Sequence, residues 1–308
     1  MKISTILCTH NPRPPYLERT LAGLRAQSCP RTAWELLLVD NASSEPLAAR
    51  FDLCWHPHGR HVSEPTVGLT AARLRGIAEA RGEVLVFVDD DNVLASDYLE
   101  RALALADGRP QLGVWGCGAY SPEWEQPPAA ELAPYLDYLA VRTVAEDRVS
   151  SRRYDYAAMP AGAGLCVRAG IARRYAADVQ ADPRRRLLGR TGTQLSGCED
   201  FDLGLTAIDL GYAIGVFRDL AMVHLMPRRR VEEDYLLKLV EGHAYSTVML
   251  MALRGDQPER LRRGPLAWVR EQRLRRSLGT VKRRIHDARR AGAAQAFLQL
   301  RAMEKTLR

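Results

Sequence analysis

Apolar residues fall into short runs along the first half of the chain, each followed by a stretch in which they recur every three or four positions. The runs are Ile3–Cys8, Leu36–Val39, Val84–Val88 and Leu112–Trp115, all of strand length. Between them lie helical patterns near Tyr16–Ala26, Leu69–Ala80 and Asp97–Ala106, each long enough for a crossover. This order predicts an α/β fold: a mostly parallel central sheet flanked by helices on both faces. In such sheets ligands bind outside the carboxyl ends of the strands.

Those ends are polar. The first run leads into Thr9, His10 and Asn11, the second into Asp40, Asn41 and Ser43, and the third into Asp89, Asp90, Asp91 and Asn92. Asp, Asn and Ser are also ordinary turn and cap residues, but three such clusters at one end of one sheet point to a ligand site. No glycine follows the first run, Gly162-Ala163-Gly164 lacks a third glycine at Val167, and no P-loop lysine pattern occurs. A nicotinamide dehydrogenase and a P-loop NTPase are therefore disfavoured.

Composition adds boundaries. The 308 residues are 46% hydrophobic and 26% charged, which excludes disorder, collagen and a disulfide miniprotein. Cys8, Cys29, Cys54, Cys117, Cys166 and Cys198 form no C-x-x-C pair, which argues against a zinc site of that kind and for a reducing compartment. Met1–Pro12 holds too short an apolar run for a secretory signal, and no stretch approaches the roughly 20 apolar residues of a membrane span. A cytoplasmic location is expected. The formal charge of +7 is uneven: residues 254–308 carry 16 basic and 5 acidic side chains, leaving a net −4 for the rest. Nucleic-acid binding by the sheet domain is not expected.

Residues Glu83–Asn92 read EVLVFVDDDN, a buried strand running into three carboxylates. Alternation along an extended chain would put Asp89 and Asp91 on one face and Asp90 on the other. Carboxylates that close repel, and a hard divalent cation, Mg²⁺ or Mn²⁺, relieves the repulsion while leaving room for a diphosphate. Asp91 or Asn92 could instead cap the following helix, although Ser96 is better placed to do so.

Five blocks together resemble a known family. Thr5–Asn11, Val39–Ser43, Gly68–Arg73, Arg81-Gly82-Glu83 leading to Asp89-Asp90-Asp91, and Gly197–Leu203 ending at Leu210-Gly211-Tyr212 are similar to the motifs of family 2 glycosyltransferases, which have the GT-A fold. The resemblance covers about Met1–His224. It implies an inverting transfer of a sugar from a nucleoside-diphosphate sugar, a UDP-sugar by default, to an acceptor hydroxyl, with Mn²⁺ or Mg²⁺ assisting the leaving group. It also implies roles. Thr9 and Asn11 line the nucleotide pocket, Asp40 reads the base edge, and Arg73 lies near the base or diphosphate, with Leu74 where many relatives carry Asn. Asp89 and Asp90 face the donor, Asp91 and Asp89 hold the metal, and His224 is a third metal or diphosphate contact. Asp200, beside Glu199, is the general base, and Gly118, Gly162 and Gly164 floor the sugar and acceptor pocket.

The residues agree in part with these roles. Leu203, Ala207 and Leu210, with Gly211 as a stop, predict a helix over Asp202–Leu210 with Glu199 and Asp200 at its amino end, where an Asp also serves as a plain cap. Ionised at neutral pH, Asp200 needs only positioning to act as a base. Ala213–Phe217 reads as a strand before His224, and a lone histidine among apolar residues is equally suited to the core. Arg228, Arg229 and Arg230 could clamp a diphosphate or form a solvated turn. Trp124, Tyr135 and Tyr138 could stack on sugars or fill the core.

From Arg273 onward Leu274, Leu278, Val281, Ile285 and Ala288 repeat at spacings of four and three among many arginines, a basic amphipathic helix. It suits packing on the catalytic domain or a twin subunit, adsorption on an anionic membrane, or nucleic-acid binding, the last without aromatic platforms to support it. The expected organisation is a catalytic domain over 1–230, divided into a nucleotide-sugar part (1–118) and an acceptor part (119–230), and a helical basic extension over 231–308. A carbohydrate or lipid-linked acceptor would suit peripheral contact with the inner face of a membrane. The rival readings are a sugar-nucleotide pyrophosphorylase, for which Thr9–Pro15 lacks the glycine-rich basic loop, and an inactive nucleotide-sugar scaffold.

Overall fold

The computed structural model describes residues 1–192, 194–259 and 264–306. The basic count of the tail includes residues 260–263, 307 and 308, which lie outside this set. Two compact units are present: Met1–Glu125 with Ala140–Arg186 and Glu199–Met226, and Gln126–Leu139 with Leu187–Cys198 and Pro227–Arg308. The second unit thus contains two earlier segments besides the tail.

The first unit is built on a mixed sheet. Its elements run β1 (Ile3–Thr9), α1 (Pro14–Arg25), β2 (Trp34–Asn41), β3 (Gly59–Glu64), α2 (Leu69–Glu79), β4 (Val84–Asp89), β5 (Asn92–Leu94), α3 (Tyr98–Gly108), β6 (Leu112–Trp124), β7 (Arg148–Ser150), β8 (Cys166–Arg168), α4 (Ala169–Ala181), α5 (Glu199–Asp209) and β9 (Ala213–Met226). The order among the described residues is β3-β2-β1-β4-β8-β6-β9-β5, with β7 also on β9. Strands β1, β2, β3 and β4 are mutually parallel, as are β6 and β9, while β8, β5 and β7 pair antiparallel to their neighbours.

The expected α/β architecture is therefore present, and each predicted strand and crossover helix forms near its expected place. Strand β1 is buried along its whole length, as a central strand covered on both faces must be. Alternate residues separate the faces. Ile3, Leu7, Leu36, Leu38, Val84, Val86 and Val88 pack in one cluster with Leu17, Leu21 and Leu24 of α1 and Tyr98, Leu99 and Ala102 of α3. Helix α1 starts on Pro14-Pro15, where missing N–H groups cost nothing. Helix α3 is capped at Asp97 without a side-chain bond, so Ser96 does not play the expected part; Asp97 instead accepts from Arg101 Nε at 2.6 Å.

Two strands run beyond the sequence reading. Strand β6 continues through Ser121-Pro122-Glu123, and β9 continues from Phe217 to Met226, because their second halves pair with each other from Ala119↔Ala221 to Trp124↔Met226. Neither half is an unbroken apolar run, so periodicity hid them; Pro122 is tolerated because it sits toward a free strand edge. The other side of β9 pairs with β7 at Ile214–Val216 and with β5 at Met222–His224. The second pairing sets His224 opposite Asn92.

In the second unit, α6 (Glu233–Leu253), α7 (Pro265–Ser277) and α8 (Thr280–Thr306) follow one another. The single amphipathic helix expected from Arg273 is broken at Leu278-Gly279, where Leu278 leaves helical geometry with ψ 137°. Leu274 therefore belongs to α7, whereas Ile285 and Ala296 of α8 are fully buried. Helix α8 comes so close to α6 that a Cβ at Gly292 would stand 2.0 Å from the Glu241 carbonyl oxygen. Helix α8 thus packs on α6 within the extension itself. Among the described residues, no helix is long and apolar enough to cross a membrane.

Candidate active site

Three strand ends are knitted together by short polar bonds. The backbone N–H of Asn11 donates to Ser43 Oγ at 3.0 Å, and Asn11 Oδ1 accepts from the Ser44 N–H at 2.9 Å. The His10 ring lies 2.7 Å through Nδ1 from the Asn41 carbonyl, to which it donates. Asn41 Nδ2 donates to the carbonyls of Glu64 and Thr66, while its Oδ1 accepts from Gly68 N–H at the start of α2. Asn11 and Ala42 adopt φ of 48° and 53°. Such backbone is uncommon outside glycine, and this cross-bonding holds it. Asp40 accepts from the N–H groups of Ser43 and Leu47, one on each carboxylate oxygen, so its first task is to close its own loop.

The acidic cluster departs from simple alternation. Extended backbone ends at Asp89 and a turn carries Asp90 and Asp91 into β5. The three carboxylates consequently meet partners on three different elements. Asp89 lies 3.6 Å from Arg73 Nη2 of α2, the Thr9 hydroxyl of β1 donates to Asp90, and Asp91 Oδ1 lies 3.6 Å from His224 Nε2 of β9.

Arg73 is the hub of this region. Its guanidinium is 7% exposed, pairs with Glu199 Oε1 at 3.1 Å, and lies over the Phe87 ring, 5.3 Å from its centroid. Burial by itself would lower the pKa of Arg73, but the carboxylates of Glu199, Asp89 and Asp200 outweigh it and hold the group above its ordinary value. Arg73 is thus committed to protein carboxylates, and Glu199 is committed to Arg73. Gly162 stands against them: a Cβ there would fall 2.4 Å from Arg73 Nη2, while its N–H donates to Asp200 Oδ2 at 2.8 Å. The second Asp200 oxygen accepts from Phe201 N–H at 2.8 Å. Helix α5 begins at Glu199, three residues before the predicted start, so both acidic residues lie in its first turn. Burial pushes the nearby Cys8 thiol up to about 12, with the Arg73 charge opposing, which keeps it protonated and unsuited to nucleophilic work.

The motif called Glycosyl transferase family 2 matches residues 4–144. Similar proteins include "Glycosyltransferase AglE" of Haloferax volcanii, 27% identical over 109 residues, which are 34% of this chain and 36% of that protein. "Putative glycosyltransferase EpsH" of Bacillus subtilis is 28% identical over 125 residues, 40% of this chain and 35% of its own. The chain spans about a third of the length of these relatives. Among solved structures, the mannosyltransferase PcManGT from Pyrobaculum calidifontis, in complex with GDP-Man and Mn²⁺, is 20% identical with a TM-score of 0.55, over 99% of this chain and 75% of that one. S. aureus TarS is 19% identical with a TM-score of 0.52, over 80% of this chain and 40% of its own. These likenesses establish a GT-A-like α/β fold.

The family 2 segment contains Thr9, Asn11, Asp40, Arg73, Asp89, Asp90, Asp91 and Gly118, whereas Gly162, Gly164, Glu199, Asp200 and His224 lie beyond it. The three glycines differ in surroundings. A Cβ at Gly118 would strike the Phe217 carbonyl, 2.6 Å away, and one at Gly164 would meet Tyr98 Oη at 2.6 Å, so sheet and core packing account for both. Gly162 alone of the three abuts charged side chains. Trp124 is half-buried at the end of β6; Tyr138, in the second unit, meets the His243 ring edge-on and accepts from Arg289 Nε at 3.0 Å. Arg228, Arg229 and Arg230 form a short 3-10 turn of the second unit.

The pair whose chemistry suits a divalent cation is Asp91 with His224. Asp91 and His224 are each 6% exposed and bring a carboxylate oxygen and a ring nitrogen within 3.6 Å, beyond hydrogen-bond length. Among the described residues no group of three or more His, Cys, Asp or Glu converges for a metal. A protein that supplies two ligands and leaves the rest of the shell to phosphates and water is the usual arrangement for Mg²⁺ with a nucleotide.

Sequence reasoning missed several members. Phe87 under Arg73 read only as strand core. Ser44, which clasps Asn11, lay one residue past the noted cluster. Asp202, 1% exposed and held through two bonds of 2.8 Å by Arg185 of the 3-10 helix Pro183–Leu188, anchors α5.

Proposed function

We propose that this chain transfers a sugar from a nucleoside-diphosphate sugar to an acceptor hydroxyl, with inversion at the anomeric carbon. The observation that carries the reading is the continuous set Asp200–Gly162–Arg73–Asp89, which joins a carboxylate at a helix start to the acidic end of β4. A base and a leaving-group site must be neighbours in a single displacement, and the continuity of this set supports that reading.

The assigned parts follow from the contacts. Thr9, Asn11 and Asp40 would line the nucleotide pocket. Asp40 keeps lone pairs beyond its two loop bonds, with which it would accept a base N–H of uracil or guanine. Asp91 and His224 would hold Mn²⁺ or Mg²⁺, which supplies Lewis-acid relief of charge on the departing diphosphate. Asp89 and Asp90, held by Arg73 and Thr9, would face the donor. Asp200 would take the acceptor proton as the oxygen attacks, its two N–H partners keeping it aimed. Glu199 acts through Arg73, as a positioning residue.

The test is Asp200→Asn. Turnover should fall about 10²- to 10⁴-fold, the usual worth of a general base, while nucleotide binding persists. Unchanged turnover would remove Asp200 from the mechanism. Proton NMR of the first-formed product reads the stereochemistry, and retained configuration would rule out direct displacement. A fold neighbour bound to GDP-Man with Mn²⁺ keeps GDP beside UDP in the donor panel.

A further inference from the structure

Helix α7 is turned inside out for a helix of a water-soluble surface. Its contacts with α8 are ionic: Glu271 meets His286 Nε2 at 2.7 Å and Arg290 at 3.1 Å, and Arg275 donates to Asp287 at 2.7 Å. Leu266 and Val269 lie on the opposite side of the helix from those contacts, with Leu274 at the flank. Leu266 is 78% exposed and Trp268 64% exposed, and Val269 and Leu274 are exposed as well. At 100° per residue, Leu266, Val269 and Leu274 share one side with Arg270, Arg273 and Arg276, all exposed. Glu271 is the helix's one acidic residue and it is spent on the inner side.

Exposed aliphatic and indole groups cost free energy in water unless something covers them. The charge pattern selects the cover. A second copy meeting this side by two-fold symmetry would set arginine against arginine, with no carboxylate on that side to relieve it. A nucleic acid would take the arginines but leave Leu266, Val269 and Leu274 without purpose. An anionic lipid surface satisfies both sets: the arginine heads reach phosphates while their stems, with the leucines and valine, lie at the level of the acyl boundary.

We propose that the outward side of α7 is a peripheral membrane contact for anionic lipid, made by Leu266, Val269 and Leu274 together with Arg270, Arg273 and Arg276. The site is distinct from the buried stripe of α8, and it is independent of the reaction proposed above. The contact is shallow, because arginines interleave with the apolar groups.

The full chain is mixed with vesicles of phosphatidylcholine alone or with phosphatidylglycerol added, and bound protein is separated by flotation. Binding is expected only to the anionic vesicles. Arg270→Glu/Arg273→Glu/Arg276→Glu should weaken binding at least about a hundredfold, since each basic residue near such a surface contributes about fivefold. Leu266→Ser/Val269→Ser/Leu274→Ser should also lower it, at least about tenfold. All six positions are exposed, and circular dichroism checks that each variant folds. Equal binding to both vesicle types overturns the proposal. So does loss in the arginine variant with none in the serine variant, which is the result expected of a nucleic-acid or purely ionic surface. A dimer that the serine variant dissociates, with no vesicle binding, assigns the face to a second copy and overturns it too.

Discussion

Arg73 and Glu199 form a buried ion pair of 3.1 Å that ties α2 to the first turn of α5 across 126 residues of sequence. Removing one partner of a buried pair leaves the other charge without compensation, which is far worse than never having had the pair. Glu199→Gln should therefore cost about 3 kcal/mol in urea unfolding. Nucleotide binding near Asp89 should weaken with it, because Arg73 would settle on Asp89 alone. A Glu199→Gln protein as stable as the original would show that Asp89 and Asp200 suffice to balance the guanidinium.

Gly162 is hemmed in by the guanidinium of Arg73, so a methyl group there has no room. Gly162→Ala should lose about 1–3 kcal/mol, the usual cost of an overpacked site. It should also lower turnover, since the same residue donates to Asp200. Gly118→Ala makes the comparison: it too is crowded, against Phe217 and Val144, but it touches neither Arg73 nor Asp200. Equal losses of turnover at equal stability would deny Gly162 a special place.

Nucleotide and metal should bind as one. With Mn²⁺ present, a nucleoside diphosphate at about 100 times its dissociation constant should stabilise the fold by about 2.7 kcal/mol. UDP, GDP, dTDP and CMP are compared by thermal shift with and without the metal. Asp91→Asn and His224→Gln should each abolish the metal-dependent part of the gain. A shift that survives both substitutions would move the cation elsewhere.

Two histidines make stability fall with acid. Burial, with Arg190 adding to it, lowers the pKa of His243 to about 4, and burial, with His58 and Arg31 adding to it, does the same to His56 against the Trp34 ring. Both rings are neutral when folded and take up a proton on unfolding below their unfolded value of about 6.5. Stability from this source is complete above about pH 6.5 and declines as the pH drops toward 4. Urea midpoints across pH 4–7 read the slope, and His243→Phe should flatten it. An unaltered slope in His243→Phe and in His56→Gln would assign the acid sensitivity to the carboxylates.

Much of the fold was legible because its early strands are unbroken apolar runs and its crossover helices are strongly periodic. The second half of β6 and the second half of β9 were not, since each earns its strand geometry from pairing with the other. The break at Leu278-Gly279 escaped as well. A four-three spacing continues through it in sequence, and only the close approach of α8 to α6 at Gly292 reveals where the true buried stripe begins.

The same division runs through the site. Local chemistry along the chain was enough to mark polar strand ends at Thr9–Asn11, Asp40–Ser43 and Asp89–Asn92, because strand ends and turns are written in neighbouring residues. It could not say that Asp90 faces Thr9, that Asp91 meets His224, or that Glu199 belongs to Arg73 while Asp200 is held by Gly162. Those partners are far apart in sequence and come together through the register of β5 on β9 and the seating of α5 beside α2. Periodicity carries no record of such pairings. They exist only once the apolar faces have closed and left each buried charge with the one neighbour that can compensate it.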